Sequence, residues 1–196
     1  MQQSGLRERS KARRRDAIEV AGLRLFTEHG YSGTTLADIA EAAEVSPRTV
    51  SMYFPTKLDI ALGFTNRGCE RLTEALEARQ SSQTVVGVLD AFLQKEDQSL
   101  DKERKQLVAD MMAANPSLPA LRTPSVERLI AAVRRALAAD LGLPEDHFKT
   151  RLGVATLFGV LEAHSSAHLD ENTTTSTRRI ALDFLAAALA TIRATP

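Results

Sequence analysis

The chain of 196 residues has no tryptophan, a single cysteine, ten glycines and seven prolines, and only 5% of its residues are aromatic. One cysteine, Cys69, excludes an intrachain disulfide and fits a reducing compartment. Scarce glycine and proline beside abundant alanine and leucine favour helices over sheets. No segment approaches the ~18 consecutive apolar residues of a membrane span, so no membrane partner is expected. The basic amino end is not followed by an apolar stretch, so a secretory signal is not expected, and a soluble cytoplasmic protein is. The formal net charge is zero, so overall charge points to no nucleic-acid partner. Phosphate loop, dinucleotide fingerprint and nucleophile elbow are all missing, and Cys69 has no histidine near it in sequence. No enzyme activity, catalytic residue or cofactor is therefore expected. An enzyme site around Glu162, His164 and His168 is the alternative from another class.

Hydrophobic residues make up 43% of the chain and charged residues 26%, which is enough apolar mass for a core. Charge is unevenly placed. Residues 1–15 hold six basic groups (Arg7, Arg9, Lys11, Arg13, Arg14, Arg15) against one acid, Glu8. Residues 1–57 carry net +2 and the remainder net −2. Such an end is a candidate phosphate-facing patch and equally a solvated tail.

Apolar periodicity predicts about nine helices and no strand. Ile18, Ala21, Leu25 and Phe26 make one stripe of a first helix from about Lys11 to His29, with Gly30 as its carboxyl cap. Leu36, Ile39, Ala40 and Ala43 define a second, opened by Thr35 and Asp38 as a capping box. Glu44 and Val45 turn the chain. Ser46 caps a third helix with Pro47 at its first position, and Pro55 ends it. Thr56 and Asp59 repeat the cap before a long fourth helix reaching about Arg79. Further helices are predicted at about 84–98, 101–115, 124–141, 144–169 and 176–193.

Three short helices with this turn match helix-turn-helix spacing. Val50, Tyr53 and Phe54 would face the core, leaving Arg48, Thr49, Ser51 and Met52 on a varied face suited to base edges in the major groove. The helix starts at Thr35, Ser46 and Thr56 offer free N–H groups to phosphates. Periodicity alone leaves a plain helical hairpin equally open; the order of residues decides. Leu25-Phe26, Gly30-Tyr31, Thr34-Thr35, Asp38-Ile39-Ala40, Val45-Ser46, Thr49, Tyr53-Phe54 and Lys57 together resemble the amino-terminal domain of TetR-type regulators.

That resemblance implies an all-α protein. Residues 1–57 would be the amino-terminal three-helix helix-turn-helix DNA-binding domain with a basic arm. Residues 58–196 would be a larger helical ligand-binding and dimerisation domain. The protein would be a homodimeric repressor on a palindromic double-stranded DNA operator, released by a small-molecule effector. Thr35 and Lys57 would meet phosphates, and Ser46, Arg48, Thr49 and Met52 the groove, with Arg48 best placed for a guanine. Tyr53 would be part core and part contact. The family often has an aromatic where Ser51 stands, so a contact there would be shorter or absent. The basic run Arg7 to Arg15 becomes a backbone or minor-groove arm.

The last predicted helix is apolar nearly all round from Ile180 to Ile192, and the one before it carries Gly153, Ala155 and Gly159 in an apolar run. A helix buried on both sides is either central to a monomer core or covered by a partner; the resemblance implies the second, with helices eight and nine forming an intersubunit four-helix bundle. Candidate effector-pocket residues are Phe92, Leu107, Met111, Met112, Phe158, Leu161 and His164. His164 and His168 stand four apart, a spacing that can share a metal. No third ligand follows at helical spacing, so no metal is expected.

Overall fold

The computed structural model describes residues 2–98, 102–118, 123–167 and 174–195. Among these there is no strand, and ten helices follow in order. They are α1 (Gln2–Gly33), α2 (Leu36–Ala42), α3 (Pro47–Tyr53), α4 (Lys57–Ala61), α5 (Gly63–Glu77), α6 (Val85–Asp97), α7 (Lys102–Ala114), α8 (Pro124–Leu141), α9 (Phe148–Ala167) and α10 (Thr174–Ala194).

The count exceeds the expected nine because the long fourth helix is two. Leu62, at φ −105° and ψ 3°, closes α4, and Gly63 opens α5. Glycine costs about 1 kcal/mol in a helix interior, which makes it a natural joint. The first helix also starts earlier than Lys11. Arg, Lys, Glu and Ala between residues 7 and 17 are strong helix formers, and they carry the helix forward without any apolar stripe. Its regular part ends where expected: Gly30 takes φ 76° and ψ 156°, a backbone open to glycine.

The chain forms two compact units, Met1–Asn66 with Asp101–Leu121, and Arg67–Leu100 with Arg122–Pro196. In the first, α1 packs on α2, α4 and α7. Its core holds Ile18, Leu23, Phe26, Ile39, Val50, Phe54, Ile60, Met111 and Leu118. Gly22 lets α1 and α4 approach closely, since a Cβ there would meet Ile60 Cγ2 at 2.4 Å. A buried ion pair ties α7 to α1: Arg104 Nη1 donates to Glu19 Oε2 at 2.6 Å, and Nη2 to Asp16 Oδ1. Asn115 closes the same joint at the Gly30 kink. Its Nδ2 donates to Phe26 O at 2.9 Å, and its Oδ1 accepts from Tyr31 N at 2.7 Å. The kink breaks helical pairing there, and the buried amide repairs it.

In the second unit α8 packs on α9, α9 on α10, and α6 on both α8 and α10. Leu89, Leu93, Val133, Leu137, Leu157, Val160, Leu182 and Leu185 are among its core. Arg79 and Asp140 pair at 2.6 Å, and Asp140 also accepts from Val85 N at 2.7 Å, so one carboxylate joins the ends of α5, α6 and α8. No helix among the described residues is long and apolar enough to cross a membrane.

Candidate nucleic-acid interface

Two capping boxes and a tight turn set the geometry of α2 to α4. Thr35 Oγ1 accepts from Asp38 N at 3.2 Å while Asp38 Oδ2 accepts from Thr35 N at 2.8 Å; Thr56 and Asp59 repeat the exchange at 3.2 and 2.8 Å. The Thr35 backbone N–H holds the Asp38 carboxyl below the usual carboxylate range. Between α2 and α3, Val45 N donates to Ala40 O at 2.9 Å and Glu44 N to Glu41 O at 3.0 Å. This is a Schellman turn. It puts Glu44 in the left-handed region at φ 54° without a glycine.

The turn delivers α3 with one face buried and one bare. Val50 and Phe54 are fully buried, and Tyr53 is half-buried against the same core. Ser46, Pro47, Arg48, Ser51 and Met52 are exposed, and Thr49 is half-exposed. Met52 is 70% exposed, a large apolar side chain held in water on a seven-residue helix. Ser46 Oγ and Thr49 Oγ1 are 2.8 Å apart, and Ser46 Oγ also accepts from Thr49 N at 3.1 Å. These two hydroxyls brace each other as well as facing outward.

Lys57 has a role that the sequence does not reveal. Its Nζ donates to Tyr31 O at 2.5 Å and to Thr34 O at 2.7 Å, and lies 4.5 Å from the Tyr31 ring centroid. An ammonium has three N–H donors, and two of them lock the α1–α2 connection to α4. Arg15 is placed differently from a free arm. Its Nη1 donates to Tyr53 O at 3.4 Å, and its guanidinium sits 4.6 Å above the Phe54 ring. The residues before it are helical, not extended. A helix is about 10–12 Å across with its side chains, whereas the minor groove is about 6 Å wide, so a minor-groove arm is not what this conformation offers.

A sequence model described as bacterial regulatory proteins, tetR family, matches residues 18–63. The HTH-type transcriptional regulator TcmR of Streptomyces glaucescens is 32% identical over 165 residues, covering 80% of this chain and 73% of its own length. The chain belongs to the tetR family. It is a DNA-binding transcriptional regulator, and the head built from α1 to α4 is its helix-turn-helix. The regulator CymR of Pseudomonas putida is 41% identical over 59 residues, 30% of this chain and 29% of its own. Among solved structures, a tetR-family regulator from Mesorhizobium loti MAFF303099 superposes with a TM-score of 0.58 at 22% identity, over 92% of this chain and 97% of that one. SmeT in complex with triclosan superposes at 0.60 with 20% identity, over 89% and 90%.

The structure divides the candidate pocket residues of this tetR-family chain. Leu107, Met111 and Met112 belong to the first unit, packed on its core, and Met111 is fully buried there. Phe92, Phe158 and Leu161 pack on the core of the second. His164, also in the second unit, is buried in a charged cluster. Its Nε2 lies 3.6 Å from Asp97 Oδ1, Asp97 Oδ2 accepts from Arg178 Nη1 at 3.2 Å, and Arg178 Nε is 3.4 Å from Asp90. Sequence spacing gave no sign of this cluster, which draws on α6, α9 and α10. His168 lies outside the described residues. Among the described ones, no three His, Cys, Asp or Glu groups gather as a metal site. Burial pushes the Cys69 thiol up, with Glu70 adding to the shift, which keeps it protonated rather than a thiolate nucleophile.

Among the described residues, α9 and α10 keep large apolar side chains exposed. Phe148 is 71% exposed, Ile180 65% and Phe184 62%. Phe148, Leu152, Ala155 and Gly159 line one exposed stripe of α9, and Ile180, Phe184 and Ala187 one of α10. Gly153, expected among the small residues of a partner face, instead serves its own chain. A Cβ there would meet Leu189 Cδ2 at 3.1 Å and Leu137 Cδ1 at 3.4 Å.

Proposed function

We propose that this regulator is a cytoplasmic homodimeric repressor, joined through α9 and α10, whose α3 helices enter adjacent major grooves of a palindromic operator. The observation that carries the DNA reading is the bare face of α3. A 70% exposed methionine beside Arg48 is costly in water and suits a groove where apolar contact meets a thymine methyl and a guanidinium meets guanine. Thr35, through its hydroxyl, and Lys57, through its third N–H, meet phosphates. Ser46, Thr49, Ser51 and Tyr53 fill out the contact surface, and Pro47 holds the start of α3. Residues 1–57 do the reading, and residues 58–196 bind effector and partner.

An effector acts by favouring a spacing of the two heads that no longer fits the operator. SmeT is solved with triclosan and EbrR with malachite green. Both names support a small organic molecule as the effector class here. Phe92, Phe158 and Leu161 are the apolar candidates for meeting it, with His164 as a polar one. Leu107, Met111 and Met112 lie on the α7 side of such a response.

Two substitutions test the contact map. Arg48→Ala is expected to weaken operator binding by about 1–3 kcal/mol and to relax preference at one base position. Lys57→Ala is expected to weaken binding to all sequences and lower the salt slope by about 1. It should also lower Tm, because two backbone carbonyls lose their donor. Salt-titrated binding and thermal melts read both, and two variants that bind like the parent would remove these contacts from the map.

A further inference from the structure

The basic residues ahead of the head form a patterned surface. Residues 7–17 are helical and exposed throughout, and they contain no apolar residue larger than alanine. At 3.6 residues per turn, Arg7, Lys11, Arg14 and Arg15 fall within one stripe about 100° wide, while Arg9 and Arg13 lie on the far side. The direction of that stripe is fixed at one end. Arg15 turns toward α3, donating to Tyr53 O at 3.4 Å and stacking on Phe54 at 4.6 Å. Arg7, Lys11 and Arg14 therefore share the side of α1 that meets the recognition helix.

We propose that this stripe is a second DNA-backbone contact, a helical rail that Arg15 pins to the carboxyl end of α3. The proposal rests on the DNA reading above and extends it to groups outside the helix-turn-helix. From Arg7 to Arg15 the helix advances about 12 Å, the rise of some 3–4 base pairs at ~3.4 Å each. Three cations over that length match a phosphate run outside the reach of α3. An anionic membrane is the less suitable partner, because an interfacial helix needs an apolar face to bury, and residues 7–17 have none.

The test is the salt dependence of binding to long mixed-sequence duplex DNA, which needs no known operator. The triple variant Arg7→Ala, Lys11→Ala, Arg14→Ala is expected to lower the slope by about 3, at ~0.9 per phosphate contact. The opposite-face double variant Arg9→Ala, Arg13→Ala is expected to lower it by less than one. In an Arg15→Ala background the triple substitution should cost less than in the parent, because the rail is no longer held. All these positions are exposed, and circular dichroism checks that helix content is kept. Equal loss per charge on both faces would replace the rail with a diffuse charge effect, and an unchanged slope in the triple variant would remove it. Binding of the parent to phosphatidylserine vesicles, lost in the triple variant while the DNA slope stays, would assign the stripe to membranes and overturn the proposal. If the parent itself binds no duplex, the regulator reading falls and the rail falls with it. If it binds and the triple variant matches it, the rail alone falls.

Discussion

Arg104→Ala is expected to lower stability by about 3–5 kcal/mol, a Tm drop of roughly 10 °C or more for a chain of this size. Arg104 is 6% exposed and its partner Glu19 2%. Removing the guanidinium takes the 2.6 Å donor away from a buried carboxylate, and the loss of that compensation makes up most of the cost. The functional loss should follow directly. α1 carries the head, α7 holds α1, and both lie in the same compact unit. DNA binding should therefore fail at temperatures where the parent still binds. A paired replacement, Arg104→Met with Glu19→Leu, separates charge from packing. Apolar substitutes of similar volume are often neutral or better, so the double variant should recover most of the lost Tm. A double variant as unstable as Arg104→Ala would show that the pair acts through something other than buried charge.

Charging the bare face of α10 has the second large effect. Ile180→Asp with Phe184→Asp replaces two side chains that are 65% and 62% exposed in the single chain. The folded protomer should tolerate this, since Leu182, Leu185 and Ile192 carry the internal packing of that helix. The proposed dimer should not, because two carboxylates per subunit would be desolvated against their copies. Linking two half-site contacts raises avidity by about 10²–10⁴ over one, so operator affinity should fall within that range. Sedimentation and operator titration together read the result. A variant that stays dimeric would move the interface away from α10.

Local chemistry made much of the head legible from sequence. Thr35 with Asp38 and Thr56 with Asp59 are caps whose partners lie three residues away, Ser46 caps the helix that Pro47 opens, and each forms as read. Apolar spacing located α6 through α8 closely for the same reason. What escaped was set by distance along the chain or by competing propensities. Glu19 and Arg104 are 85 residues apart, and Asn115 reaches Phe26 across 89. No periodicity links such pairs. The early start of α1 was missed because an exposed helix with no apolar stripe leaves no periodic mark. The break at Leu62 was missed because Leu58, Ala61, Leu62 and Thr65 keep helical spacing across it. The sequence shows Lys57 as a candidate phosphate contact only, since nothing in it shows Tyr31 O and Thr34 O converging on its ammonium.

Two copies of the head together are proposed to read a palindrome. The measurement that bears on it most directly is selection of genomic DNA fragments by the purified protein at moderate salt, followed by sequencing of what is retained. An enriched sequence is expected, with two inverted half-sites whose centres lie about one helical turn, or a multiple of it, apart. A folded, dimeric protein that enriches no sequence would contradict it.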